Sequence, residues 1–266
     1  MNKFYLIVAL ILMLCIGCEW RLKPNTGDAD DSFAVERYDR VQSLYLTTGD
    51  FSALQQMSTN YPIQTRTLIE DVLKIGNVND PEINTKFLNF YQDTTLQTII
   101  NEAEQQYANM DDINKDFTRT FERLHKSFPS MEIPKVYAQI GSLDQSVIVG
   151  DKYVGFSLDK YLGKNYPLYE KFYPEQQRSL MTRQMIVPDC ILFYILSHYP
   201  LPNYGKATQQ QCDLHMGKIQ WIVNNVTGRK VFANKFVATV ARYMKKHSGL
   251  TDQELLTLPV SDELSN

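Results

Sequence analysis

This sequence predicts a predominantly helical α+β protein with one small antiparallel sheet or hairpin. Three observations carry that expectation. Between Asp93 and Phe128 the residues Leu96, Ile100, Ala103, Tyr107, Met110, Phe117, Phe121, Leu124 and Phe128 recur mostly three or four apart, the period of a helix. Between Lys135 and Leu158 the pattern changes to short β-like runs interrupted by Gly150-Asp151, the mark of a hairpin. With 266 residues, 44% apolar and 21% charged, the chain has a folded protein's composition and length enough to bury a core without staples. A net charge of −3 with no basic block argues against a nucleic-acid binder.

The first element is a leader. Lys3 precedes the apolar run from Phe4 to Leu14, which as a helix is about 16 Å long, too short for a hydrocarbon core of about 30 Å. A short positive region followed by a short apolar one is a secretion signal, here residues 1–17. Its end, Leu14-Cys15-Ile16-Gly17-Cys18, resembles a bacterial lipobox. Cleavage before Cys18 and acylation of that residue then anchor the protein to a membrane without crossing it. Residues 18–31 read as the lipidated cysteine and a polar tether, and residues 32–266 as one domain. Surface export in lipoproteins of this kind follows an acidic run after the cysteine. Here Trp20, Arg21 and Lys23 break the run after Glu19, so the expected location is the outer membrane, facing the periplasm, with surface exposure the alternative.

Helices with short joints follow. Asp31 or Ser32 can cap a first helix that Gly49 ends, Asp50 starts a second, and Pro62 opens a third that runs to Gly76. Asp80-Pro81 is a further start signal, and Asp111-Asp112 is a candidate break in the long 93–128 stripe. The β-like runs are 135–141, 145–150 and 152–158. Helices return around Pro188–Ser197, Gln209–Asn225 and Val231–His247, and Thr251 with Glu254 forms a capping box for a last short one.

Chemistry is harder to find. No G-x-S-x-G, P-loop, G-x-G-x-x-G or H-E-x-x-H occurs, so no cofactor is expected. Cys190, His198, Cys212 and His215 could supply zinc ligands only if separate helices converge, and no metal site is assigned. Cys190 and Cys212 are either a disulfide of an exported protein or plain core thiols. Tyr153, Tyr161, Tyr166, Tyr169, Phe172 and Tyr173 crowd around Pro167 and Pro174. They either pack a loop onto the domain or line a groove for a peptide or glycan, which would place a deep pocket beside Tyr161 and Tyr169.

The stretch from Val154 to Tyr169 resembles the signature of the GldB family, gliding-motility lipoproteins of Bacteroidetes. In that family a strand runs into a Leu-Asp-x-Tyr-Leu-Gly-x-x-Tyr-x-x-Tyr loop, matched by Leu158, Asp159, Tyr161, Leu162, Gly163, Tyr166 and Tyr169. Ile186-Val187-Pro188-Asp189 and Met216-Gly217-Lys218 match its later motifs. On physical grounds Asp159 can cap the next turn, Gly163 permits a left-handed stop, and Pro188 with Asp189 suits a helix N-terminus. A fainter similarity extends to zincin-type peptidases, but the helix at Pro188–Ser197 lacks their two His and their Glu, which implies a degenerate zincin-like scaffold.

The resemblance implies a non-catalytic lipoprotein, a scaffold or accessory part of a gliding or type IX secretion-related envelope assembly, with envelope proteins as partners. Two alternatives stand beside it: a peptidase with an irregular zinc site, and a ligand-binding lipoprotein using the tyrosine-rich loop.

Overall fold

A computed structural model describes residues 33–260. The leader, Cys18 and the tether lie outside the described residues.

Helix α1 (Tyr38–Thr48) starts later than a cap at Asp31 or Ser32, both outside the described residues, would place it, because Glu36 pairs with Val136. It ends, as its sequence predicts, on Gly49 in the left-handed conformation at φ 71°. Helix α2 (Phe51–Asn60) begins where the Asp50 carboxylate accepts the Ser52 amide at 2.7 Å. Helix α3 (Pro62–Thr67) carries proline in its first turn and then widens into a π turn, Leu68–Val72, where one regular helix was expected. Leu68, Ile69 and Val72 of this turn are buried in the core. Helix α4 (Ile83–Phe90) follows, three residues after the Asp80 signal, whose carboxylate accepts the Glu82 amide at 2.9 Å.

The long stripe divides into α5 (Thr94–Gln106) and α6 (Asp111–Ser127). The break falls just before Asp111-Asp112, so both carboxylates stand at the N-terminal end of α6, where the helix dipole favours them. Carbonyls left over at the break are taken by arginines: Arg37 donates to Tyr107 O at 2.9 Å, and Arg183 to Gln106 O and Asn109 O at 3.0 and 2.7 Å.

Strands β1 (Lys135–Gln139), β2 (Val147–Val149) and β3 (Tyr153–Ser157) form one sheet in the order β1-β3-β2. The expected hairpin is present, β2 antiparallel to β3, with the Gly150 amide on Tyr153 O at 2.8 Å. The sheet as a whole is mixed rather than antiparallel, because β1 runs parallel to β3, from Lys135 opposite Tyr153 to Gln139 opposite Ser157. The chain leaves β1, returns as β2 one strand-width away, and the hairpin then lays β3 in the gap. That central position buries both faces of β3, which explains its unbroken Val-Gly-Phe-Ser-Leu run. The other edge of β1 is covered by the segment before α1, through Glu36 N to Val136 O at 2.8 Å and Ala138 N to Glu36 O at 3.0 Å.

The remaining chain is helical: α7 (Pro167–Phe172), α8 (Glu175–Arg178), α9 (Ile186–His198), α10 (Gln209–Thr227), α11 (Lys235–Lys246) and α12 (Asp252–Thr257). Helix α9 is apolar nearly all round because it lies against β2, β3, α6 and α10. Helix α11 starts at the Asn234 cap rather than Val231, since the Phe232 amide is clipped to Asn224 Oδ1 of α10 at 3.0 Å. Capping boxes close the N-termini of α10 (Thr208, Gln211) and α12 (Thr251, Glu254).

Candidate functional site

The tyrosine motif begins where β3 runs into a short 3-10 turn, Leu158–Lys160. Leu158 is buried in the core, as a strand-end leucine should be. Asp159 was expected to cap the next turn; instead its fully buried carboxylate reaches back to the loop after β1. Oδ1 accepts the Gly141 amide at 2.6 Å and Oδ2 the Leu143 amide at 2.7 Å. Burial pushes its carboxyl up from the ordinary range, and the two amides pull against that shift. Leu143 itself has φ 64°, an uncommon conformation for leucine. Its carbonyl accepts from Lys160 Nζ at 3.0 Å and from the Tyr173 hydroxyl at 2.8 Å, so both of its backbone groups are fastened. Lys160 Nζ also lies 4.6 Å from the centre of the Tyr173 ring.

The tyrosines then tie neighbouring elements together. Tyr161 donates to Asp189 Oδ2 on α9 at 2.9 Å, while its carbonyl accepts the Tyr107 hydroxyl at 2.7 Å. Burial raises Asp189 to about 7, against the lowering effect of the Tyr161 hydrogen bond. The Tyr169 hydroxyl accepts the Leu162 amide at 3.0 Å and donates to the Asp159 carbonyl. Tyr166, half-buried, stands edge-on to Tyr169 with ring centres 5.0 Å apart. Gly163 takes φ 110°, the positive-φ role expected of it, and its amide donates to Met181 O at 3.0 Å.

Other motif residues sit elsewhere. Pro188 is the third residue of α9 rather than its start, still within the first turn that proline tolerates. Gly217 lies on α10 where α11 crosses, and an added Cβ would stand 2.7 Å from Phe236 Cβ. Lys218 is fully buried; its Nζ donates to Leu258 O at 2.7 Å, fastening the chain end after α12, and burial lowers it to about 8. The structure thus gathers Leu158 to Tyr169 with Asp189 into one network and places Gly217 and Lys218 in a separate packing role.

Beside that network lies a cleft of about 970 Å³. Residues 162–168 form one wall, Thr94, Thr95, Thr98 and Glu102 of α5 another, and Thr182–Gln184 a third. Of the motif tyrosines only Tyr166 lines it; Tyr161 and Tyr169 are buried behind the wall. Sequence reasoning missed Lys160, Arg183 and the α5 threonines. The one signal for them was the spacing of Thr94 and Thr98, four apart on one helix face.

The zinc constellation does not assemble: among the described residues, no three His, Cys, Asp or Glu side chains stand together as a metal site requires. Cys190 and Cys212 are free thiols, Cys190 buried and Cys212 partly so. His215 is buried, with Nε2 2.8 Å from Tyr199 O.

A family model described as "Gliding motility protein GldB" matches residues 19–239. This chain belongs to the GldB family. The GldB match begins one residue after Cys18 and runs through every element up to the middle of α11, well beyond the motifs between Val154 and Lys218. Membership links the chain to gliding motility. Comparison with curated proteins finds no match, nor does comparison with solved structures. Among the described residues, no helix is long and apolar enough to cross a membrane.

Proposed function

We propose that this chain is a non-catalytic, lipid-anchored scaffold or accessory component of the gliding-motility apparatus or its associated secretion machinery. In this reading residues 1–17 are the signal and Cys18 carries the lipid. The tether 19–31 holds the folded domain off the outer membrane, facing the periplasm, where it meets envelope proteins. The observation that carries the reading is the use of the family motif. Asp159, Tyr161 and Tyr169 spend their polar atoms on the protein's own backbone and on Asp189, which is how residues act when a fold must be held rigid. A catalytic motif would instead aim such groups at a substrate.

The test is crosslinking and affinity capture from membranes of cells producing the intact lipidated protein. The expected result is a reproducible set of envelope proteins, lost when Cys18→Ser releases the domain. Metal analysis of the same preparation tests the rival peptidase reading. Stoichiometric zinc, lost on Cys212→Ala, would replace the scaffold with a metalloenzyme.

A further inference from the structure

The cleft beside the motif has a chemical character of its own. Its backbone floor is already spent: Leu162 N bonds to the Tyr169 hydroxyl at 3.0 Å and Leu162 O to Gln106 Nε2 at 2.9 Å. Gly163 N bonds to Met181 O and Gly163 O to Tyr166 N, both at 3.0 Å. An extended peptide adding itself as a strand would find the main-chain groups of residues 162 and 163 already bonded. The charge is balanced as well. Arg183 is held by Asp112 through contacts of 2.9 and 2.7 Å and stacks on Tyr107, leaving Lys164 and Glu102 of opposite sign on facing walls. An anionic ligand would find no concentrated positive field.

What the walls do offer is neutral hydrogen bonding around one fixed ring. Thr94, Thr95 and Thr98 line one side of the opening and Asn165 and Gln184 the others. The Thr98 hydroxyl donates to Thr94 O at 2.9 Å and keeps its acceptor lone pairs. Tyr166 is braced by Tyr169, so its ring is ordered before any ligand arrives; burial raises its phenol, and the Glu102 carboxylate adds to that. Gly163 stands on the same wall, with open space where a Cβ would stand. The size falls at the upper end of ligand sites, room for several sugar rings.

We infer that this cleft is a binding site for a neutral oligosaccharide, stacked on Tyr166 and hydrogen-bonded by the α5 threonines, Asn165 and Gln184. The inference is independent of the anchoring at Cys18 and of any protein partner. It is tested by calorimetric titration of the full-length lipidated protein in detergent micelles with N-acetylchitohexaose and, separately, maltohexaose. Saturable binding of either sugar is expected. Tyr166→Ala weakens it about tenfold, and Thr98→Trp, which fills the cleft from an exposed helix position, abolishes it. Asn165→Ala, at an exposed loop site that leaves the fold untouched, weakens it too. No binding of either sugar, binding that all three variants retain unchanged, or binding of polyglutamate in their place would overturn the assignment.

Discussion

The phenol of Tyr161 donates to Oδ2 of Asp189 at 2.9 Å, joining the turn after β3 to the first turns of α9. The hydrogen bond fixes the central strand against the most apolar helix of the fold. It also leaves a carboxyl group enclosed by protein, with its pKa pushed up to about 7.

That shift has a sign. An unfolded aspartate titrates near 3.9, so between about pH 4 and 7 the folded state binds the proton more tightly than the unfolded one. Stability from Asp189 is fully present below about pH 4, falls as pH rises through about 7, and is level above. Asp189→Asn removes this slope and keeps an acceptor for Tyr161. Denaturant unfolding of both proteins across that range will show a wild-type minus variant difference that declines with pH; a flat difference contradicts the assignment.

Asp159→Ala leaves the Gly141 and Leu143 amides without acceptors in the interior. The expected cost is about 2–4 kcal/mol of unfolding free energy, with Asp159→Asn less damaging because one oxygen remains. Urea midpoints measure both, and an unchanged midpoint for the alanine variant would remove the clamp from the account.

Two glycines fail for different reasons. Gly163→Val meets no steric neighbour and costs about 1–3 kcal/mol through its positive φ alone. Gly217→Ala keeps an ordinary helical backbone but drives a methyl group against Phe236, costing about 1–3 kcal/mol by overpacking α10 on α11. Thermal melts should show both losses. Phe236→Ala should not relieve the penalty at Gly217, because the contacts at 2.7, 3.0 and 3.3 Å are to the Cβ and backbone atoms of residue 236, which alanine keeps.

Cys18→Ser should abolish labelling by a fatty-acid analogue, and wild type alone should fractionate with membranes. Protease added to intact cells should spare the wild-type protein and digest it once the outer membrane is permeabilised.

Much of this architecture was legible in the chain. The caps at Asp50, Gly49 and Thr251, the 93–128 stripe and the Gly150-Asp151 hairpin are local signals, and local hydrogen bonds realise them. The parallel pairing of β1 with β3 was not legible, because strand order depends on where a loop returns rather than on the strands' own pattern. The site divides the same way. Leu158 and Gly163 declare their roles through position and backbone, whereas Asp159 looks like a cap until Gly141 and Leu143 are seen to lie behind it. Lys160 carried no local signal, and Tyr173 showed only as one of an aromatic cluster, since their common partner, the Leu143 carbonyl, is distant in sequence. The unassigned zinc set stays apart even though α9 and α10 pack together, because Cys190 is buried in the core and His215 Nε2 lies on Tyr199 O at 2.8 Å.

The most direct measurement of the scaffold reading is the gliding of a strain lacking the gene, complemented by variants. Wild type and the double variant His198→Ala/Cys212→Ala should restore movement, because no metal chemistry is required of those residues, and Cys18→Ser should not, because the domain is no longer anchored. Full gliding with Cys18→Ser, or loss of gliding with a folded His198→Ala/Cys212→Ala protein, would contradict a membrane-anchored, non-catalytic role.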